Sequence, residues 1–498
     1  MNKSNFEIVV CFLIPLLLAA KFIAADVVQV PNRLENGKRA NGTVYKMTVT
    51  PAKQARPAFK YRLSVEPHKT IPGNAITHYL RSLGENSLNG PWKAVQDQFG
   101  MDVFDWISLD TKPEDIPLDK LKTAASFFDS YVDNHLRRAT LCRDAEWGLA
   151  EERLLGSESI EFLLPSVQQT RSMARALMLR NRLAVIDRRF DDSIEHLRMT
   201  YQLAQNVSKM KFLVSNLVGI AEVGLANDGM IDLIAAPDSP NMYWALAELP
   251  QPIISIRESI RLESSFGQRY FAELLDVESA GYSNEKWAQS LSDVIAGLKS
   301  LTNYGYQLSN KESVTVLPNE LLSVAAGLLG YSAAKQRLVD SGMTPSSVEE
   351  MAVAQVLLID ASRDYRAIMD DAEKAYYVPF HRSQSLTGSY REELRSQPTR
   401  LGAIIVSAFS PAMGQVRQAE VRVQAQINVL MAIESIRNHI ATTGKLPASL
   451  DDLQLPVRND PFTGKPLEYQ LDGDTAVLEI AHTFGSTYTQ KYEISIAK

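Results

Sequence analysis

The chain has 498 residues and a net charge of -6, with 52 Lys and Arg against 58 Asp and Glu. Apolar residues make up 45% and charged residues 22% of the chain, which is the composition of a globular protein. The mean hydropathy of -0.14 excludes a polytopic membrane protein, and the length predicts about three domains. Because a mildly acidic chain has no overall attraction to nucleic acid, we expect no nucleic-acid partner.

The first 25 residues have the pattern of a secretory signal peptide. Lys3 supplies the positive charge, and residues 8–20 form an apolar run. As a helix this run would rise only ~20 Å, which is short of a ~30 Å hydrocarbon core. We therefore predict cleavage between Ala25 and Asp26, export to the periplasm or the medium, and no stable transmembrane span after processing. An uncleaved N-terminal anchor is the alternative.

The number of cysteines predicts that the hydrophobic core, rather than disulfide bonds, stabilises the fold. After cleavage Cys142 is the only cysteine left, so no intramolecular disulfide forms. We interpret Cys142 as a small buried apolar residue. A nucleophilic thiol would need a histidine partner, and His135 lies two helical turns away, too far for direct contact.

The sequence divides into segments of different character. Residues 26–73 are predicted as an extended N-terminal arm, in which the alternation from Thr43 to Thr50 predicts one exposed strand. Residues 74–400 have helical periodicity and are predicted as a helical domain. Residues 401–498 are predicted as a long helix plus a small β module. The fold class is therefore mainly α, a helical bundle or an irregular α-solenoid with a small C-terminal antiparallel β module.

Within the helical domain, apolar spacing predicts one continuous helix over 126–155. Another helix begins at Pro165 and is followed by an antiparallel neighbour after a turn at 190–192, with Asp192 as the N-cap and Glu195 completing a capping box. The turn is similar to the middle of a tetratricopeptide unit. No echo at the ~34-residue period occurs elsewhere, so we do not predict a repeat array.

The C-terminal segment begins with the apolar run 401–413, which is too short to span a membrane and is predicted as buried core, with membrane contact as the alternative. Gly444 and Pro447 then end a long helix. Strands are predicted over 467–471, 475–480 and 488–496, the first two joined by a hairpin turn. One face of the helix carries an aliphatic stripe formed by Val423, Ile427, Leu430, Ile433, Ile436 and Ile440.

Three groups of residues carry a family resemblance. They are Pro57–Leu63 with Pro72–Ala75, then Pro237–Pro250, and then Gly444–Leu450 with Asp460–Tyr469. Together they resemble a family of uncharacterised secreted bacterial proteins of about this length. The resemblance implies export and brings no known activity, substrate or catalytic residue.

The last of these groups also resembles the C-terminal half of type II secretion pseudopilins. In that pattern Gly444 ends the helix, Asp460 forms an Asx turn before Pro461, and Tyr469 covers the helix. The chain departs from the pattern because a long stretch precedes the helix and because no acidic calcium loop follows Tyr469. The resemblance therefore implies the fold of the tail, but neither pilus assembly nor calcium binding.

Common catalytic signatures are missing from the sequence. It contains no His-Glu-x-x-His, Walker loop, Gly-x-Gly-x-x-Gly or Gly-x-Ser-x-Gly motif. No two of the seven His are four residues apart, which excludes a helical metal pair. Ser332–Lys335 is the best-placed Ser-x-x-Lys pair, but the partner motifs of penicillin-recognising enzymes are absent. We therefore predict no catalytic residue, no metal and no cofactor.

Two features supply candidate binding residues. The helix after Pro165 carries a basic stripe that includes Arg171, Arg175 and Arg182, which is either a groove for an anionic polymer or a solvated face. Tyr243 and Trp244 form either a stacking platform for sugar or peptide or a buried aromatic plug between helices.

These observations predict an exported, non-catalytic scaffold or binding protein of the bacterial cell envelope, whose partner is an envelope protein or a polysaccharide. One alternative is an envelope hydrolase that assembles carboxylates from distant segments. Another is a component of a secretion apparatus, which rests on the pseudopilin-like tail.

Overall fold

A computed structural model describes residues 27–35, 38–83, 89–148, 165–265, 268, 270–309, 319–383, 386, 400–409, 411–484 and 486–497. The predicted signal peptide and its cleavage site between Ala25 and Asp26 lie outside these residues. Within them the fold is mainly α with a small β sheet, as predicted. No helix in this part of the chain combines the length and the apolar character that a membrane span requires.

Helices account for most of the described chain. The α-helices are α1 (Ala75–Ser82), α2 (Asn89–Phe99), α3 (Leu118–Ser126), α4 (Pro165–Ile186), α5 (Phe190–Ser208), α6 (Leu213–Ala235), α7 (Tyr243–Ala247), α8 (Arg257–Ser264), α9 (Asn284–Ser309), α10 (Asn319–Asp340), α11 (Pro345–Glu349), α12 (Val353–Lys374), α13 (Leu401–Phe409) and α14 (Pro411–Thr443). The 3-10 turns are Pro67–Lys69, Met101–Ile107, Pro113–Asp115, Ala272–Leu274, Ala375–Tyr377 and Leu450–Asp452.

The predicted continuous helix over 126–155 is wrong. The chain instead forms the short segments Asp129–Tyr131, Val132–Leu136 (a π-helix) and Arg137–Leu141, and it becomes extended at Cys142. The reason is a strand pairing that apolar spacing does not reveal, because Cys142 pairs with Ile71 in a small parallel sheet. Cys142 itself is buried and forms no disulfide, as predicted.

The strands are β1 (Val27–Glu35), β2 (Lys38–Val49), β3 (Ile71–Asn74), β4 (Cys142–Asp144), β5 (Glu468–Asp472), β6 (Thr475–Phe484) and β7 (Ser486–Ile496). The main sheet has the order β1-β2-β7-β6-β5. β2 and β7 are parallel, and the other pairs are antiparallel. The predicted C-terminal hairpin and third strand are therefore present, and two N-terminal strands complete their sheet.

The expectation of an exposed N-terminal strand is corrected by this sheet. Tyr45, Met47 and Val49 of β2 are buried. The ring of Tyr45 stacks on the ring of Tyr492 across the parallel pair, with centroids 4.5 Å apart. The alternation correctly predicts a strand, but one face of that strand is buried. This face packs into a core that the C-terminal strands help to form.

The described chain packs as two compact units. The smaller unit lies within Arg257–Arg417, and the larger unit lies within Ala20–Gly148, Leu164–Ile256 and Gln418–Lys498. The predicted helical domain 74–400 is therefore shared between the units. Packing, rather than order along the chain, decides which segments belong together.

In the smaller unit, α12 packs against α9, α10 and α13. Arg337 and Arg400 bind Asp360 and Asp364 of α12 through paired hydrogen bonds. In the apolar run that begins at Leu401, Ala403 and Ile405 are buried. Ile404 is exposed, so the prediction of buried core holds for Ala403 and Ile405 but not for every described side chain of the run.

In the larger unit, α4, α5 and α6 pack against one another. Only three residues join α4 and α5, so these helices run antiparallel, as predicted. Asp192 is not the N-cap, because α5 begins at Phe190. The Asp192 carboxylate lies within the first turn and binds Arg189.

From Gln418 onward, α14 belongs to the larger unit and is buried on most of its surface. All six residues of the predicted aliphatic stripe are buried. Gly444 ends the helix with a φ of 73°. Asp460 forms the expected Asx turn by accepting from the backbone N–H of Phe462, and the Tyr469 hydroxyl donates to the Pro447 oxygen at 2.5 Å.

The polar side chains of α14 bind the segments around it. Glu434 and Arg437 form an ion pair in which both side chains are fully buried. Arg437 also donates to the backbone oxygens of Thr50 and Ser239, and Glu434 accepts from the backbone N–H of Met242. The pair therefore connects α14 to the end of β2 and to the loop before α7.

We expect Arg437→Met to lower the free energy of unfolding by about 3–5 kcal/mol, because it leaves the Glu434 carboxylate buried without a cation. Urea denaturation followed by tryptophan fluorescence measures the change. The matched control is Lys46→Met, which removes a surface pair with Glu493 and should cost less than about 1 kcal/mol. Equal stability of the two variants would contradict the role given to the buried pair.

Candidate functional site

A cavity of about 290 Å³ lies between α2, the 3-10 turn Met101–Ile107 and α4 of the larger unit. Its composition is unusual because cations and aromatic rings line it without any acidic residue. The lining residues are Trp92, Lys93, Gln96, Phe104, Ser172 and Arg175. This set can offer positive charge and hydrogen bonds to a ligand.

Trp92 holds the walls of the cavity together. Its side chain is 6% exposed, and its Nε1 donates to the backbone oxygen of Ser172 at 3.0 Å, which ties α2 to α4. Its ring stacks on Phe104, with centroids 5.2 Å apart, and packs against Phe128 at 4.7 Å. The aromatic rings therefore serve mainly as internal structure.

The guanidinium of Arg175 makes a cation–π contact with an aromatic ring and no ion pair with a described carboxylate. Its guanidinium carbon lies 5.3 Å from the centroid of Phe104. Stacking uses the flat face of a guanidinium and leaves its N–H groups for a planar anion. In the part of the chain that the structure describes, Arg175 has no ion pair and makes no hydrogen bond.

The cations near this cavity lack negative partners. Lys93 is exposed, while Arg171 and Arg175 are half-buried one helical turn apart on α4. Among the described residues, no carboxylate lies within salt-bridge distance of any of the three. Burial lowers the pKa of both guanidinium groups, but arginine stays protonated in proteins. The result is a partly desolvated positive charge that favours an anion.

The carboxyl group that interacts electrostatically with Arg171 belongs to Glu222 of α6. Glu222 is fully buried, and the side chain of Thr170 and the charge of Arg171 only partly offset the cost of burying it. Burial raises the pKa of this carboxyl to about 8. The raised pKa weakens the ability of Glu222 to neutralise Arg171 at neutral pH.

A second cavity, of about 530 Å³, lies beside the turn between α4 and α5. It contains Arg188 and Arg189, but both are already paired. Arg188 binds Asp238 at 2.7 Å, and Arg189 binds Asp192. Because its cations are neutralised from within, this cavity is a weaker candidate for a binding site than the cavity at Arg175.

The structure separates the members of the predicted basic stripe. Arg171 and Arg175 lie at the smaller cavity or next to it, but Arg182 is 2% exposed. Arg182 forms an ion pair with Asp232 and donates to the Thr111 oxygen. The stripe is therefore neither one continuous groove nor one solvated face, because Arg182 is buried while Arg171 and Arg175 are half-buried.

The predicted aromatic pair also has a structural role. Tyr243 is 2% exposed, and its hydroxyl donates to the Pro456 oxygen at 2.6 Å. The ring of Trp244 packs edge-to-face on Tyr243, and its Nε1 donates to the side chain of Gln54 at 2.9 Å. Tyr243 is therefore buried and not available as a stacking platform, whereas Trp244 is half-buried.

Most of the cavity residues were not predicted from the sequence. Trp92, Lys93, Gln96, Phe104 and Ser172 belong to no recognisable motif. Their segments are brought together only when α2 docks on α4. The one signal available in the sequence was the basic residue spacing on α4, which identified Arg171 and Arg175.

In the described part of the chain, no group of three or more His, Cys, Asp or Glu side chains is arranged to hold a metal ion. Comparisons with protein-family models, with curated proteins and with solved structures find no match to this chain. The resemblances to the secreted bacterial family and to the pseudopilin tail therefore stay predictions.

The buried Glu222 predicts a specific dependence of stability on pH. Its folded pKa of about 8 exceeds the ~4.3 of an unfolded glutamate, so folding retains a proton between these values. Its contribution to stability is complete below the unfolded pKa and is lost as the pH rises through the folded pKa, by at most ~1.4 kcal/mol per pH unit. Glu222→Gln should remove this loss.

Urea denaturation from about pH 5 to about pH 8 tests this prediction. The stability of Glu222→Gln relative to the wild type should increase with pH over this interval. The exposed Glu114→Gln is the matched control, and its difference from the wild type should stay flat. A flat difference for Glu222→Gln as well would show that Glu222 is ionised in the folded protein.

Proposed function

We propose that the protein is an exported, non-catalytic binding protein of the bacterial cell envelope, and that its ligand places an anionic group in the cavity between α2 and α4. The observation that carries this proposal is the half-buried guanidinium of Arg175, which is stacked on Phe104 and has no carboxylate partner among the described residues. The signal-peptide pattern supports export.

The energetics favour a ligand rather than a purely structural role for Arg175. A guanidinium that is partly removed from water loses hydration, and an internal carboxylate normally compensates for that loss. An external carboxylate or phosphate would provide the same compensation through charge-assisted hydrogen bonds. Because the stack holds the guanidinium in place before binding, little side-chain entropy is lost when the anion arrives.

Binding is favoured over hydrolysis at this cavity. General acid–base cleavage of a glycosidic bond uses two carboxyl groups separated by about 5–9 Å across a cleft. The residues that line the cavity include none. The secretion-apparatus interpretation rests on a sequence resemblance alone, and no carboxyl group lines this cavity to support the hydrolase interpretation, whereas the binding interpretation rests on the cavity and its lining residues.

Arg175→Ala should weaken anion binding by about 10–100-fold, which corresponds to the ~1.5–3 kcal/mol of a hydrogen bond to a charged group. The measurement is a titration of the full chain with acetate and with inorganic phosphate at constant ionic strength. Tryptophan fluorescence provides the signal because Trp92 lines the cavity. Lys93→Ala should have a smaller effect, since Lys93 is exposed.

The matched control is Lys120→Ala, which removes one exposed positive charge on α3 away from the cavity lining. Its affinity for both anions should equal that of the wild type. Equal losses in Arg175→Ala and Lys120→Ala would mean that the anions respond only to net charge. That result would overturn the assignment of the site.

A further inference from the structure

We infer that the ligand group in this cavity is an acidic sugar, meaning a single sugar ring that carries a carboxylate or a phosphate. This inference rests on the proposed function and specifies its ligand class. Three properties of the cavity carry it: the sign of its charges, the hydrogen-bonding groups beside them, and the size of the space.

The charges exclude zwitterionic ligands. Lys93 and Arg175 contribute positive charge, and none of the lining residues is acidic. An amino acid or a peptide N-terminus would bring its ammonium group close to two cations with no carboxylate to receive it. The ligand is therefore an anion whose remaining body is uncharged.

The residues that line the cavity favour a ligand whose uncharged part carries hydroxyl groups over a ligand with an aromatic ring. Trp92 is almost fully buried, and Phe104 is already stacked against Trp92 and Arg175, so little free ring surface remains for an aromatic ligand. The Ser172 hydroxyl makes no hydrogen bond among the described residues. The side-chain Nε2 of Gln96 donates to the sulfur of Met101 at 3.7 Å. The side-chain carbonyl oxygen of Gln96 is left as an acceptor. Sugar hydroxyls both donate to and accept from such groups.

The volume fits one ring. At about 290 Å³ the cavity lies at the lower end of the ~300–1,000 Å³ found for small-molecule sites. The space inside the cavity accommodates one sugar ring. A terminal acidic sugar of an envelope polysaccharide and a free acidic monosaccharide share the chemistry that the cavity would recognise.

The test is a calorimetric titration of the full chain with glucuronate, glucose 6-phosphate, glucose, acetate, inorganic phosphate and serine. Glucuronate or glucose 6-phosphate should bind at least tenfold more tightly than acetate or inorganic phosphate, respectively. Glucose and serine should not bind measurably. The stronger of the two sugar acids identifies whether a carboxylate or a phosphate is preferred.

Variants separate the sugar contacts from the anion contacts. Ser172→Ala and Gln96→Ala should weaken glucuronate binding severalfold more than they weaken acetate binding. Ser172→Ala keeps the backbone oxygen that accepts from Trp92, so the wall is preserved. Gln98→Ala, an exposed position on the same helix, is the matched control and should bind like the wild type.

The outcomes distinguish the two proposals. If acetate and phosphate bind through Arg175 but the sugar acids bind no better, the acidic-sugar inference is overturned and the proposed function stands. The same inference is overturned if serine binds as tightly as glucuronate. If no anion binds and Arg175→Ala changes nothing, both proposals are overturned.

Discussion

The larger unit depends on the buried ion pair between Glu434 and Arg437. Two charges removed from water cost several kcal/mol each unless they face one another and their remaining hydrogen bonds are satisfied. On α14 that condition is met by the backbone of Thr50, Ser239 and Met242. Segments far apart in the chain must therefore meet at this point, because the absence of any one of them would leave a buried polar group unsatisfied.

The same requirement distinguishes structural cations from the candidate site. Arg182 and Arg437 are almost fully buried, and each has its own carboxylate, Asp232 and Glu434. Arg175 is half-buried with a ring in place of a carboxylate. A ring orients a guanidinium but neutralises little of its charge. Arg182 and Arg437 are each neutralised by a carboxylate of the protein, whereas Arg175 has no such partner among the described residues. We therefore place the anion beside Arg175.

Local patterns predicted the parts of the structure that local forces decide. The stripe from Val423 to Ile440 follows one face of a helix, and all its residues are buried. Gly444 adopts a positive φ at the helix end, and the turn after Asp472 joins two antiparallel strands, as turn chemistry requires. Apolar spacing failed after Leu141, because strand pairing between Cys142 and Ile71 depends on a distant segment. The same holds for β2, whose parallel partner lies at the other end of the chain.

The sequence by itself determined the class of fold, many of the helices and the C-terminal strands, and it marked Arg175 as a candidate, because periodicity, turn residues and charge spacing act over a few residues. Only the tertiary structure decided that Arg175 faces a cavity while Arg182 of the same helix is buried against Asp232. Only the tertiary structure placed Trp92, Phe104 and Ser172 around that cavity. The physical reason is that burial, desolvation and the sharing of charge between segments are properties of packed surfaces, and a single helix does not carry them.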